Sequence, residues 1–379
     1  MRYEVNDAGI SNANRIDVLH VGPGYGQRGG IASVLGELAA RRASFERAGI
    51  GTTIFETHGF RSAGSSLQFF SSDVPKFIRV ARGADIVHFH VSERGSFYRK
   101  FTLYMIAKVM RRRVVFHLHS GNFGRFFASA DGLTRAAMRQ FIGGADLVIG
   151  TSSASMRLLN QFRGNADDTS IIANFATVAE YGAMHGHSHD RSQVCVRPYI
   201  AFAGRLSTQK GVDVLIEALG LLARQGFDLT LRLAGEGDVG HWRSVAGAHG
   251  VIDRVYFEGW LDGDDKLSFY RNAFVFCLPS QFEAFGIAAL EAMFCGVPVV
   301  ATRVGGLQDL ISEGVTGYLV PPNDAEALAC RVRQLLENPM LATRMKAAAL
   351  SRAKQDYTAK TISEQYVRCY RDVTNGASV

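Results

Sequence analysis

Five side chains in this sequence have types and spacings suited to work on a phosphorylated, hydroxyl-rich ligand. Two are carboxylates, Glu283 and Glu291, eight positions apart in SQFEAFGIAALEAMFCGVPVVATRVGG (280–306). A carboxylate facing ribose or sugar hydroxyls forms charge-assisted hydrogen bonds. Two are cations, Arg205 and Lys210, five apart in GRLSTQKG, the makings of a clamp for a diphosphate. The fifth is His119, followed by Ser-Gly at the end of RVVFHLH.

The elements that must position these groups follow from the apolar pattern. Phe274–Ser280 is an apolar run and reads as a buried strand. Gln281–Gly286 is a loop, Ile287–Cys295 a helix stopped by Gly296, and Val297–Ala301 another strand, with a second loop at Gly305-Gly306. Both loops then lie at the carboxyl ends of parallel strands, the edge where open α/β sheets bind ligands. Phe285-Gly286 lets backbone approach closely where the helix begins, and the free N–H groups there suit an anion or hydroxyls. Arg197–Ala203 is the strand before the Arg205–Lys210 loop, and Leu229–Asp238 ends a strand in Gly-Glu-Gly. Asp262-Gly263-Asp264 precedes a helix and reads as its N-cap, not a metal pair.

The first half repeats the alternation. RIDVLHV is a strand, followed by a Gly-rich loop and a helix. Gly22, Gly24, Gly26, Gly29 and Gly30 do not spell G-x-G-x-x-G, and no acidic residue is assigned to the end of the next strand, TTIFETH, which disfavours a dinucleotide-dependent oxidoreductase. Ala84–Val91 and Arg113–Leu118 are further strands. His117 and His119 are assigned to opposite faces, and His88, His90 and His117 are read as structural. Phe97–Arg113 mixes apolar and aromatic residues with six basic ones, a composition suited to a membrane interface. HGHSHD (185–190) reads as a linker rather than a metal site.

A chain of 379 residues with 47% hydrophobic content suggests two globular domains. No apolar run approaches a membrane span and no signal peptide is visible. The five cysteines form neither a C-x-x-C pair nor a disulfide framework, so a reduced, cytoplasmic protein is expected. Residues 1–189 hold 22 Lys+Arg against 14 Asp+Glu (+8), and residues 190–379 hold 20 against 21 (−1), which sum to the net +7. The basic surface thus belongs to the first half and points to an acidic acceptor or an anionic membrane surface, with no stacking motif for nucleic acid.

The stretch E-A-F-G-I-A-A-L-E, with P-S-x-x-E-x-F-G before it and G-G-L-x-D after it, resembles the E-x7-E signature of retaining glycosyltransferases of family 4, which have the GT-B fold. G-R-L-x-x-x-K-G and the Gly-Glu-Gly turn are similar to that family too. The resemblance is strong over residues 200–340 and weaker over 15–150. It departs from the family in SIIANF, where Ala173 and Phe175 replace the usual Pro and Gly around Asn174.

The resemblance implies an α/β protein of two Rossmann-like domains with parallel sheets facing across a cleft: acceptor-binding 1–189, nucleotide-sugar-binding 190–357, and a helix over 358–379 crossing back to the first domain. It implies transfer of a hexose from a UDP- or GDP-sugar to a glycan or lipid-linked acceptor, with retention and without metal or cofactor. It assigns catalysis to His119, Arg205, Lys210 and Glu283, and donor contacts to Gly29, Gly30, Gly235, Gly259, Leu261, Ala284, Phe285, Gly286, Ile287 and Glu291. A sugar-nucleotide epimerase on the same fold and a non-catalytic nucleotide-sugar-binding protein are the alternatives, separated from it by acceptor-dependent turnover.

Overall fold

In the computed structural model, residues 15–24, 27, 29–57, 67–163, 168–176 and 197–376 are described. They divide into two compact units. The first comprises residues 1–150, 156–172 and 363–379, and the second 151–155 and 173–362. The division thus falls at 172/173 and 362/363, while the expected boundary at 189/190 and the HGHSHD segment lie outside the described residues. The C-terminal helix, Ala359–Asn375, begins in the second unit and contributes residues 363–375 to the first.

The first unit is a six-stranded parallel sheet of β1 (Ile16–Gly22), β2 (Ile50–Glu56), β3 (Ile86–Val91), β4 (Arg113–Leu118), β5 (Leu147–Gly150) and β6 (Thr169–Ile171). Its strand order is β2-β1-β3-β4-β5-β6. β3 is buried at every residue, as a strand covered by helices on both faces must be. The register pairs His20 with His88 across β1 and β3, and His90 with His117 across β3 and β4.

The second unit has β7 (Tyr199–Ala203), β8 (Thr230–Ala234), β9 (Val255–Gly259), β10 (Val275–Leu278), β11 (Val299–Thr302) and β12 (Gly317–Val320). All pair in parallel, in the order β12-β11-β10-β7-β8-β9. Its reversal point lies between β7 and β10, as in doubly wound sheets. Ligands of such sheets bind outside the carboxyl ends at that point. Each unit has its own apolar core, one built on Tyr199–Phe202 and Val299–Ala301, the other on Val87, Phe89, Phe116 and Phe141.

The membrane-interface expectation for 97–113 changes here. The segment forms the helix Gly95–Val109, which buries Phe97, Leu103 and Tyr104 but also Arg99 and Lys100. Lys108 pairs with Asp146, Arg112 donates to the Ala84 carbonyl and Arg113 to that of Val373. Most of its basic groups therefore serve the fold. Among the described residues no helix is long and apolar enough to cross a membrane.

Candidate active site

The loops after β7, β8, β10 and β11 interlock, and glycine is what allows it. A Cβ on Gly305 (φ 49°) would lie 1.6 Å from the Glu283 carbonyl oxygen, and one on Gly235 (φ 137°) 1.9 Å from that of Gly204. These backbones touch where any side chain would intrude, and both conformations favour glycine. Gln281 N donates to Gln209 O (2.9 Å), joining the β7 loop to the β10 loop. Gly235 N donates to Gly259 O (2.6 Å), which brings together two of the expected donor-binding glycines.

This scaffold joins Lys210 to Glu283. The ammonium lies 2.7 Å from Glu283 Oε2, their side chains 29% and 14% exposed, and Ser280 Oγ donates to the same oxygen at 3.4 Å. Lys210 ends the 3-10 turn Thr208–Lys210, after which left-handed Gly211 opens the helix Val212–Arg224. Arg205, in the same loop, is exposed and makes no hydrogen bond or ion pair among the described residues. One cation is therefore fixed by a carboxylate and the other is open, at the reversal point of the sheet.

Gly286 (φ 103°) is the N-cap of the helix Ile287–Phe294, and Gly296 (φ 66°) stands after its end as expected. Ala284 O accepts from Thr151 Oγ1 (3.2 Å), Phe285 is buried with its ring 5.7 Å from that of Tyr357, and Leu261 and Ile287 are half-buried against the core. Glu291 is not brought to the Lys210–Glu283 pair. It is 3% exposed, with one oxygen held by Lys266 and the other by Tyr270 Oη (2.9 Å). Burial and the Glu291 carboxylate push the Tyr270 phenol well above its usual range, so it stays a donor. Lys266 and Tyr270 were not foreseen from the sequence. Asp262 takes the N-cap position of Gly263–Arg271 without a side-chain cap bond.

In the first unit, Gly29 (φ 144°) and Gly30 are exposed at the start of the helix Gly30–Ala40. β2 ends on Glu56, and its carboxylate would meet a Cβ on Gly24 at 2.3 Å. The expectation that no acid stands there is thus corrected.

The larger correction concerns the histidines. His117 and His119 lie on one face with ring centroids 4.0 Å apart, because residues two apart on a strand share a side. They belong to a cluster of five. His20 Nδ1 lies 3.0 Å from His90 Nε2, His90 Nδ1 2.9 Å from His119 Nε2, and His88 Nε2 3.2 Å from His117 Nδ1. Tyr370 Oη lies 2.9 Å from His88 Nδ1 and 3.5 Å from His20 Nε2. Burial, then neighbouring imidazoles, hold His88, His90 and His117 well below the usual histidine range; burial alone takes His20 down to about 3, and burial with Lys100 takes His119 there too. His20/His88/His90 and His90/His117/His119 each bring three nitrogens within 4.8 Å. Eight of the ten ring nitrogens already have partners within the cluster, so a metal ion would enter only by breaking those bonds. Lys100, also unforeseen, donates to Ser96 Oγ (2.7 Å), and burial with Arg99 nearby lowers it to about 7.

The chain is an α/β protein of GT-B architecture, and its doubly wound second unit carries a carboxylate-fixed cation and an open cation at the edge where such sheets bind ligands. Residues 195–352 match the family model "Glycosyl transferases group 1". Glycogen synthase of Mycobacterium tuberculosis is 35% identical over 178 residues, 47% of this chain but only 43% of its own length, so the match spans less than half of that relative. Alpha-D-kanosaminyltransferase of Streptomyces kanamyceticus is 29% identical over 301 residues, 76% of this chain and 77% of its own. Among solved structures, Anabaena HepE, crystallised with UDP and glucose, superposes with a TM-score of 0.73 at 24% identity, covering 94% of this chain and all of that one. This likeness establishes the fold.

Proposed function

We propose that the chain is a retaining glycosyltransferase that moves a hexose from a UDP- or GDP-sugar to a glycan or lipid-linked acceptor. The observation that carries the reading is the Lys210–Glu283 pair with Arg205 open in the same loop. Arg205 and Lys210 neutralise the charge that grows on the departing diphosphate, and such electrostatic stabilisation commonly contributes most to the acceleration of a reaction of this kind. Glu283 holds the Lys210 ammonium in place and orients the sugar. Glu291, pre-oriented by Lys266 and Tyr270, holds the ribose hydroxyls. His119 contacts the transferred sugar. The leaving phosphate takes the acceptor proton on the face it departs from, so no protein nucleophile is assigned, and the reading includes no metal.

A thermal-shift panel of UDP-, GDP- and ADP-sugars tests the donor class. A sugar nucleotide present at 100 times its dissociation constant adds about 2.7 kcal/mol of stability. Absence of any shift across the panel would contradict a donor site. The two carboxylates should differ in kind. Glu283→Ala should chiefly lower kcat, and Glu291→Ala should chiefly weaken binding of the free nucleotide. Equal nucleotide affinity for wild type and Glu291→Ala, measured calorimetrically, would remove Glu291 from the ribose.

The basic surplus of residues 1–189 suits an acidic acceptor or an anionic bilayer. Vesicles containing anionic lipid should co-sediment with the protein at low salt and release it at high salt. No binding at low salt would exclude the bilayer.

A further inference from the structure

The hydrogen bonds of the buried histidine cluster form one unbranched chain: His117, His88, Tyr370, His20, His90, His119. Every internal nitrogen is used once, and the chain ends at two nitrogens without partners among the described residues, His117 Nε2 and His119 Nδ1. His117 lies on β4 and His119 just past its end, their rings 4.0 Å apart, so the path returns to where it began.

A neutral imidazole carries one N–H and one lone pair, and a phenol one O–H. A bond between two such groups needs one donor and one acceptor, so, with Tyr370 donating to one histidine and accepting from the other, the direction of any one bond fixes all the others. If His119 donates from Nε2 to His90 Nδ1, then His90 donates from Nε2 to His20, His20 from Nε2 to Tyr370, Tyr370 to His88 Nδ1, and His88 from Nε2 to His117 Nδ1. As long as Tyr370 donates one bond and accepts the other, reversing one bond reverses all five. The neutral chain then has two states, with all five histidines Nε2–H or all five Nδ1–H. A mixed arrangement within the His88–His117 pair or the His20–His90–His119 trio sets two N–H groups or two lone pairs face to face at about 3 Å. One across Tyr370, with the phenol oxygen accepting from both His88 and His20, leaves the buried Tyr370 O–H without a partner among the described residues. His20, His88, His90 and His117 are all 0% exposed, which disfavours a charged imidazolium as an escape.

We propose that the five histidines and Tyr370 are a single tautomeric unit that sets whether His119 offers a lone pair or an N–H at Nδ1. In the Nε2–H state, His119 Nδ1 accepts and His117 Nε2 holds the unpartnered proton. In the Nδ1–H state, His119 donates to an oxygen and the bare lone pair moves to His117. Passing from the first to the second shifts one proton along each of the five bonds, while His117 Nε2 gives up its proton to water and His119 Nδ1 takes one up from water, so each donor becomes an acceptor and the net charge is unchanged. His90, His20, Tyr370 and His88 are positioning residues for His119. The ligand being a sugar rests on the proposed function; the coupling of the tautomers does not.

The test is proton–nitrogen correlation NMR of the full chain, labelled with 15N at histidine, at neutral pH and without ligand. The fraction of Nε2–H should be the same at all five buried histidines, whether they sit in one state or exchange between the two. In Tyr370→Phe, which removes one oxygen and keeps the ring, the His88–His117 pair and the His20–His90–His119 trio should each stay internally uniform while their fractions become independent. Different tautomers within the wild-type five, a doubly protonated ring among them, or fractions that remain locked together in Tyr370→Phe would overturn the proposal. So would signals from these rings that shift on adding Zn2+, because a bound metal takes lone pairs from several of them at once. Because the readout is the free protein, a donor that fails to bind sinks the glycosyltransferase reading and leaves this result standing.

Discussion

Lowering the pH from 7.5 to 5.5 should remove most or all of the protein's stability, through the buried histidines. The folded state holds all five neutral, with His20 and His119 lowered to about 3 and the other three well below their usual range. In the unfolded chain each titrates near 6.5. A group whose folded pKa is depressed contributes stability that is present above the unfolded value and lost as pH falls, because the unfolded state then binds more protons. Each histidine loses about 1.4 kcal/mol per pH unit below 6.5, so five lose roughly 7 kcal/mol by pH 5.5. That is comparable to the 5–15 kcal/mol that typically holds a domain together. Among the described residues the groups facing the cluster are Tyr366, Tyr370 and Lys100 rather than carboxylates, so none of these compensates the incoming charge. Urea-unfolding midpoints from pH 7.5 to 5.5 give the measurement, and a midpoint that stays level would contradict the cluster's neutral, buried state.

Arg205→Ala should lower turnover by at least about 100-fold, the scale for losing a partner of transition-state charge. The fold should be untouched, because this side chain is exposed and makes no hydrogen bond or ion pair among the described residues. Lys210→Ala should lower turnover comparably but is less clean. It strips Glu283, 14% exposed, of its cation and leaves a half-shielded carboxylate on the loop. Some of its effect would then come from a displaced Glu283. Comparing kcat with thermal midpoint separates the two, and near-wild-type kcat in Arg205→Ala would end its assignment to the diphosphate.

How much of this was legible in the sequence depended on how local each feature is. The Lys210–Glu283 site was readable because each member sits in a short loop between an apolar strand and a helix, and the doubly wound order follows from that alternation. Gly211, Gly286 and Gly296 announced positive-φ turns at the helix ends where they occur. The partners of Glu291 were hidden, because Lys266 and Tyr270 approach from another helix 25 and 21 positions away. The histidine chain was hidden for the same reason on a larger scale. Tyr370 lies 350 positions from His20, and only parallel pairing brings β1, β3 and β4 together. A signal existed: the H-x-H in DIVHFHV and the H-x-H in VFHLHS each put two imidazoles on one face of a strand. Reading His117 and His119 as opposed concealed it. The burial of Arg99 and Lys100 in the basic helix was hidden for a different reason, since composition does not reveal which side chains point inward.

Release of UDP or GDP from a nucleotide sugar, measured with and without a glycan or lipid-linked acceptor, tests the central claim most directly. The proposed activity predicts release that rises with acceptor, a product with the donor's anomeric configuration, and loss of both in Arg205→Ala. Release independent of acceptor, an epimerised sugar nucleotide, or equal rates in wild type and Arg205→Ala would contradict it.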